Sequence, residues 1–398
     1  MTALETLTIT QAKSRILWGL ELILCVLFYI FTDSYAGLWL LAISLVLPVV
    51  EMIGAEICAK KLFGTLGIDN LGEKQKDMTA MLKIKTTGLF PFDRIIAKIK
   101  CENLLTGEAE EYEILASAPA KTETLQQLQL KSRHCGKLCL NLKGFLVLDY
   151  FGLRKTKIPA DSEKMTLITP NTFGLQVEVV YGENAVLDAE EYSMSKAGFD
   201  PSETFAVREY RAGDHIHQIH WKLSEKLDGL IVRDYGLPVQ NTILLLLETG
   251  YPEKSEEFPS QMEKLVECLV SVSQEMCEQQ IVHSIGWYNH KEQTYSSAEI
   301  DSLEEFTMIL PELLSAVPGE DGTSVLGHYM EQREQCEFAH LVLFTPYLTA
   351  DASALAERCL VTEVICEKEP RGEFTEEGAH VISVSTENAE AELSYLEI

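Results

Sequence analysis

Residues 208–235, with the sequence REYRAGDHIHQIHWKLSEKLDGLIVRDY, combine charges, aromatic side chains and turn residues more densely than any other part of the chain. The Ala-Gly-Asp at 212–214 predicts a turn, because glycine accepts unusual backbone angles and aspartate can cap a following helix. Apolar residues over 216–223 have helical spacing, and residues 230–232 have the composition of a strand. We therefore expect a strand, a turn, a helix and a second strand in this segment.

Seven charged residues of the segment would lie close together in such a unit. A buried or half-buried polar network of this kind is stable only when each of its groups has a partner. We therefore expect ion pairs or hydrogen bonds among them. The residues are Arg208, Glu209, Arg211, Asp214, Lys222, Arg233 and Asp234.

The segment is similar to the signature of the domain-of-unknown-function 58 family. That signature is roughly R-E-Y-x-P-G-D, then I-H/D-W-K-x-S-A-R, then a strand ending in V-R-E/D-F/Y. The chain departs from it with Ala212 in place of proline and with Glu225-Lys226 in place of Ala-Arg. The matching residues are Arg208, Glu209, Tyr210, Gly213, Asp214, Ile219, His220, Trp221, Lys222, Ser224, Val232, Arg233, Asp234 and Tyr235.

The resemblance extends beyond the signature. Residues 149–153, DYFGL, resemble the D-P-F-G-L that often stands upstream in these proteins. The resemblance implies a membrane hairpin, a β-rich domain, the signature and then a von Willebrand A-like α/β domain. It also implies a MoxR-type AAA+ ATPase as partner, in the maturation or assembly of envelope proteins.

Composition restricts the class of protein. Lys and Arg number 33 against 61 Asp and Glu, a formal charge of −28 over 398 residues. This acidity argues against binding nucleic acid, whose phosphates would be repelled, and suits a basic protein partner. The ten cysteines follow no repeating spacing, so we expect reduced cytosolic thiols. Cys135 and Cys139 lie beside His134, but a zinc site would need a second nearby pair.

Two apolar runs near the N-terminus, at about 16–31 and 35–53, predict a pair of transmembrane helices within residues 1–60. Lysine and arginine flank the pair on both sides, and the connecting loop has no basic residue. By the positive-inside rule, both ends then lie in the cytosol, with the soluble domains cytoplasmic and the protein multi-pass in the cell membrane. The alternative is a buried helical hairpin in a soluble core.

Glu21 interrupts the first apolar run. An ionisable residue inside a membrane segment is a functional candidate. The simpler interpretation places Glu21 near the cytosolic boundary, where it extends to water or pairs with Arg15 or a partner helix.

The rest of the chain predicts an α+β multidomain protein. Short alternating runs over 61–180 favour an antiparallel β-sandwich or barrel. Residues 181–240 contain the signature, which would join the domains. From 241 to 398, apolar strands alternate with helices, which predicts a parallel, doubly wound α/β domain that ends in a helix over 389–396.

A metal-binding von Willebrand A domain needs an aspartate at the end of its first strand, followed by two hydroxyl residues at alternating positions. Glu248 takes the first position, but Gly250 and Pro252 supply no side-chain oxygen, and Thr249 is out of register. We expect this metal site to be degenerate, so that Glu248 binds a cation weakly at most.

Two functions remain open. The first is a membrane-tethered scaffold or adaptor, without cofactor or small-molecule substrate, in which Trp221 is a core anchor. The alternative is a metal-dependent hydrolase that uses Asp214, His217 and His220. In the first, the signature forms a latch between domains or a docking surface. The latch residues are Arg208, Glu209, Tyr210, Arg211, Gly213, Asp214, His220, Trp221, Lys222, Ser224, Arg233 and Asp234.

Overall fold

Two apolar N-terminal helices precede a sheet-rich α+β body, which confirms the coarse fold prediction. The chain forms two compact units, Met1–Asn171 and Thr172–Ile398. The finer divisions predicted at residues 60, 180 and 240 stay predictions. In this computed structural model the described residues are 3–32, 34–179, 192–198, 200–211, 215, 218–227, 229–238, 243–252, 255–320, 323–332, 338, 340–349, 355–356 and 359–398.

The first unit begins with helices α1 (Ala3–Thr32) and α2 (Tyr35–Ala59). The Ser34 hydroxyl accepts a hydrogen bond from the Gly37 amide at 3.3 Å and so caps α2. Both helices are longer than the apolar runs seen in the sequence. Helix α1 begins before residue 16 and α2 continues past residue 53, and both extensions include charged residues. Residues Thr8–Thr32 and Tyr35–Ala59 are long and apolar enough to cross a membrane.

Two sheets follow, of strand order β1–β3–β6 and β2–β8–β7–β4–β5. One face of β3 is buried at alternate residues, as expected for a strand that covers a core on one side. Leu82 of β3 belongs to the same buried cluster as Ile95 and Leu142 of the second sheet, so both sheets cover one core. The strands are β1 (Leu62–Gly67), β2 (Leu71–Glu73), β3 (Asp77–Thr86), β4 (Phe92–Asn103), β5 (Ala109–Ala118), β6 (Glu123–Lys131), β7 (Gly136–Leu148) and β8 (Lys155–Thr169).

The second unit alternates strands and helices. Its elements are β9 (Gln176–Glu178), β10 (Tyr192–Gly198), β11 (Asp200–Glu209), α3 (Trp221–Leu227), β12 (Ile231–Pro238), β13 (Ile243–Leu247), β14 (Gly250–Tyr251), α4 (Phe258–Glu278), β15 (His283–Asn289), β16 (Thr294–Ile300), α5 (Leu303–Leu313), β17 (Gly319–Glu320), α6 (Val325–Gln332), β18 (His340–Thr345), β19 (Leu360–Glu367), β20 (Gly372–Glu376), β21 (Ala379–Ser385), α7 (Ala389–Glu392) and β22 (Tyr395–Glu397).

The main sheet of this unit has the order β16–β15–β13–β18–β19–β21–β20. The five inner strands pair in parallel, and the two outer strands, β16 and β20, pair antiparallel with their neighbours. Every residue of β13 is buried, which requires cover on both faces of the sheet. Strand order reverses between β13 and β18, the place where open α/β sheets hold their ligands.

The C-terminal helix prediction over 389–396 is wrong in its second half. Helix α7 stops at Glu392, Leu393 leaves helical geometry, and Tyr395–Glu397 forms β22 in parallel with β9. Leu396 is buried while both its neighbours are exposed, the two-residue period of a strand. The sequence also predicts a helix over 352–359, and most of this range lies outside the described residues.

Candidate functional site

The signature segment lies in the second unit and is built around β12. This strand pairs antiparallel with β11 on one edge, where Val232 faces Arg208. Its other edge pairs with β10 and then with Ile219, which forms a single bridge to Val232. Ile219 is therefore extended, where helical spacing predicted a helix residue, and the described helix is the short α3. The extended form buries the Ile219 side chain against the sheet.

Ser224 fixes α3 to the start of β12. Its hydroxyl is buried, accepts from the Ile231 amide at 2.9 Å and lies 3.0 Å from the His220 carbonyl, to which it donates. His220 in turn starts the helix, because its Nδ1 accepts from the Leu223 amide at 3.3 Å and its own amide donates to the Ile231 carbonyl at 2.8 Å. One serine and one histidine thus hold the helix against the strand.

Trp221 does not form part of the core. Its side chain is 62% exposed, so the prediction of a core anchor is wrong. The cause is the late start of the helix: Trp221 is the first residue of α3, and Ser224 is the residue of α3 whose side chain bonds to the strand. Tyr210 is also exposed. Its backbone amide donates to the carbonyl of Leu230, another exposed residue, at 2.9 Å.

The basic residues of the segment take different positions. Arg211 and Lys222 are exposed, and Arg208 is half-buried with a guanidinium nitrogen 3.3 Å from the Glu209 carbonyl, to which it donates. Arg233 is half-buried and faces Val207 across the strands. Its Nε is buried and has no hydrogen-bond partner among the described residues.

Part of the predicted latch cannot be placed. Gly213, Asp214 and His217 lie outside the described residues, and Asp234 is described only as part of the backbone of β12. The predicted network through Asp214 therefore stays a prediction. The hydrolase alternative depends on the same residues, and the one described member, His220, uses its Nδ1 to cap α3. The described residues contain no group of three His, Cys, Asp or Glu able to hold a metal ion.

Glu248 lies where the strand order of the main sheet reverses. It follows β13, and its amide donates to the Phe344 carbonyl of β18 at 2.8 Å. Its buried carboxylate accepts from the Gly250 amide and, at the start of α6, from the Val325 amide, both at 2.8 Å. Both oxygens of the carboxylate thus accept from backbone N–H groups, and the carboxylate stabilises the N-terminus of α6.

Loop 149–154 of the first unit forms a second group of polar contacts, and the sequence did not predict these contacts. In loop 149–154, which joins β7 to β8, the buried Asp149 accepts from the amides of Leu153 at 2.6 Å and of Arg154 at 3.2 Å. Gly152 has a φ of 74°, a conformation that favours glycine, and lies against Ser14 of α1.

This loop holds both N-terminal helices. The Leu153 carbonyl accepts from Gln11 and from Arg15 of α1, each at 3.0 Å. The Tyr150 amide donates to Glu51 of α2 at 2.9 Å, and Arg154 pairs with Glu56 at 3.0 Å. The DYFGL pattern marked this loop in the sequence, but its contacts with the helices depend on tertiary structure.

No family model matches this chain, and no curated protein matches it. Among solved structures, a CARDB domain of a Pyrococcus furiosus protein is 11% identical, with a TM-score of 0.21, and the match covers 27% of this chain and 91% of that one. A cohesin module from a Clostridium perfringens family 33 glycoside hydrolase is 14% identical, with a TM-score of 0.21, over 28% of this chain and 99% of that one. Similarity at this level supports no argument about fold or function.

Proposed function

We propose that this chain is a membrane-anchored scaffold of the domain-of-unknown-function 58 type, whose signature segment docks a MoxR-type AAA+ ATPase on the cytoplasmic side of the cell membrane. In this proposal α1 and α2 cross the bilayer, and the second unit carries a von Willebrand A-like domain. Its role is the maturation or assembly of envelope proteins.

The observation that supports docking is the exposure of Trp221 on a helix that is fixed to a strand. Ser224 and His220 hold α3 against β12, and the Trp221 side chain lies exposed on this helix. Tryptophan, tyrosine and arginine dominate the binding energy of protein interfaces. Tyr210 and Arg211 are exposed in the same segment, which therefore offers an exposed aromatic side chain with basic neighbours.

The strand order of the main sheet supports the α/β part of the proposal. Numbered from β13 as the first strand, and with β20 as an added edge, the order is 3-2-1-4-5-6, that of a doubly wound sheet. Glu248 lies where the strand order reverses, and its carboxylate accepts hydrogen bonds from two backbone amides. A metal-independent binding domain fits this use of the acidic residue.

Co-purification tests the docking surface. The full-length chain, in detergent, is mixed with a purified MoxR-type AAA+ ATPase. Loss of a central aromatic anchor costs about 2 kcal/mol or more, so we expect Trp221→Ala to weaken binding at least about thirtyfold. Met308→Ala is the matched control, because Met308 of α5 is 75% exposed in the same unit. Equal binding by both variants would refute the docking surface.

Extraction tests the anchor separately. If α1 and α2 cross the bilayer, the full-length chain stays with membranes after high salt and after alkaline carbonate. Release of the chain by either treatment would contradict the anchor and leave the ATPase interaction open.

A further inference from the structure

Glu21 lies well inside the apolar length of α1. With a helical rise of 1.5 Å per residue, it is about 9 Å from Arg15 and about 16 Å from Thr32. Arg15 does not pair with it, because the Arg15 Nε donates to the Leu153 carbonyl of loop 149–154. Of the partners expected for Glu21, Arg15 therefore does not supply the bond, and the placement of Glu21 at the membrane boundary stays a prediction.

Helix α2 gives the same depth independently. Glu21 Oε1 accepts a hydrogen bond from the Ser44 hydroxyl at 3.3 Å. Ser44 is about 10 Å along α2 from Glu51 by the same helical rise, and Glu51 also contacts loop 149–154. Both helices therefore place the Glu21–Ser44 pair at one level, about a third of the way along the hairpin from the loop.

Pro48 explains why a polar group is available here. Proline has no N–H, so the Ser44 carbonyl, four residues earlier in α2, loses its usual helical partner. The indole Nε1 of Trp18 donates to this carbonyl at 3.2 Å. The Trp18 indole thereby supplies the donor that the Ser44 carbonyl lacks. The Ser44 hydroxyl donates in turn to Glu21.

One oxygen of the Glu21 carboxylate accepts from Ser44, but the side chain lies at the outer surface of the hairpin. Glu21 is exposed, and around it Leu17, Leu20 and Leu24 are 67%, 56% and 65% exposed. Ser44, in contrast, is buried between the helices. In a bilayer the carboxylate would lie among lipid chains, where a charge held by a single hydroxyl donor is costly and such residues normally face a protein partner.

We propose that Glu21 is the docking point for a transmembrane helix of a second protein that carries a lysine or arginine at the same depth. This inference rests on the proposed membrane anchor. Charge complementarity selects the partner, since a basic side chain supplies the donors and the charge that a carboxylate lacks in hydrocarbon. A second copy of this hairpin cannot supply it, because residues 16–59 contain no Lys, Arg or His.

Designed helices provide the probe. The full-length chain, with a fluorescent donor at its C-terminal end, is placed in phosphatidylcholine vesicles with acceptor-labelled polyleucine transmembrane peptides. The first peptide carries a single lysine about 9 Å below its cytosolic end, at the depth of Glu21. The second carries its lysine about 16 Å deeper, near the opposite end of the peptide. The third carries no lysine. We expect energy transfer to show about tenfold tighter binding of the first peptide than of the other two.

Glu21→Gln keeps the size of the side chain and removes its charge, and should reduce binding of the first peptide to the level of the peptide without lysine. Equal binding of the three peptides by the wild type, or an unchanged lysine preference in Glu21→Gln, would overturn the proposal. Glu21-dependent self-association of the chain without peptide would overturn it in favour of a second copy. Release of the wild type from the vesicles by alkaline carbonate would remove the anchor as well, whereas a retained chain without lysine preference removes only this inference.

Discussion

Loop 149–154 and the signature segment use polar groups in opposite ways. In the loop, the charged Asp149 is buried and receives two backbone amides, so a charge organises the chain. In the signature, the buried organiser is the neutral Ser224, and Arg211 and Lys222 lie exposed around it. Charges that hold the backbone cannot also meet a partner. The comparison therefore separates residues needed for folding from residues available for binding.

The largest effect should come from Asp149. Each hydrogen bond from an amide to a charged carboxylate contributes about 1.5–3 kcal/mol, so Asp149→Ala should destabilise the first unit by about 4 kcal/mol. Hydrogen exchange of the Leu153 and Arg154 amides, together with thermal unfolding, measures this. The control is Asp161→Ala, an exposed carboxylate on β8. Equal stability of both variants would show that the charge does not organise the loop.

Glu363 on β19 is a third case, a buried carboxylate whose hydrogen bonds are on average longer than those of Asp149. Its oxygens accept from the Thr349 amide at 3.4 Å and the Thr349 hydroxyl at 3.2 Å. Burial raises the pKa of Glu363 to about 7, with a smaller contribution from Glu376. Because the folded-state pKa is raised, the contribution of Glu363 to stability is complete below about pH 4.5 and is lost as the pH rises through about 7.

Glu363→Gln should remove this loss and stabilise the second unit at pH 8 by up to about 3 kcal/mol. Burial lowers the pKa of His283 and of His340, so these residues cost stability as the pH falls below 6.5, and the difference between wild type and variant isolates Glu363. Melting temperatures from pH 4 to pH 8 measure it, with the exposed Glu369→Gln as control. A pH profile of Glu363→Gln parallel to wild type would contradict the role of Glu363.

Ser224 should show a smaller effect. Ser224→Ala leaves the buried Ile231 amide without its acceptor, which costs about 2 kcal/mol. Lys222→Ala, two residues earlier in α3 and exposed, should change stability by less than about 0.5 kcal/mol. Denaturant unfolding with hydrogen exchange at the Ile231 amide compares them. If Lys222→Ala is the more damaging, the signature is organised by its charges after all, and the contrast with loop 149–154 fails.

Much of the architecture follows from local sequence patterns. The length of the two apolar runs predicts α1 and α2, and the fully apolar run of β13 predicts a strand covered on both faces. Alternation predicts the strands of the first unit, because one buried face imposes a period of two. These features need only nearest neighbours along the chain.

Features that depend on distant partners were not predictable. Ile219 has helical spacing but pairs with Val232, and the C-terminal strand β22 forms because β9 offers an edge. Trp221 was expected in the core because large aromatic residues usually are buried there. Its exposure follows from where α3 begins, which the His220 and Ser224 hydrogen bonds determine.

The two outer strands of the main sheet affect how the protein behaves when many copies lie close together. An open sheet edge is a template for aggregation unless it is short or charged. Strand β20 exposes Glu373 and Glu376, and β16 exposes Glu299. If neighbouring molecules share a membrane surface and meet often in two dimensions, like charges at both rims keep their sheets from joining into fibres.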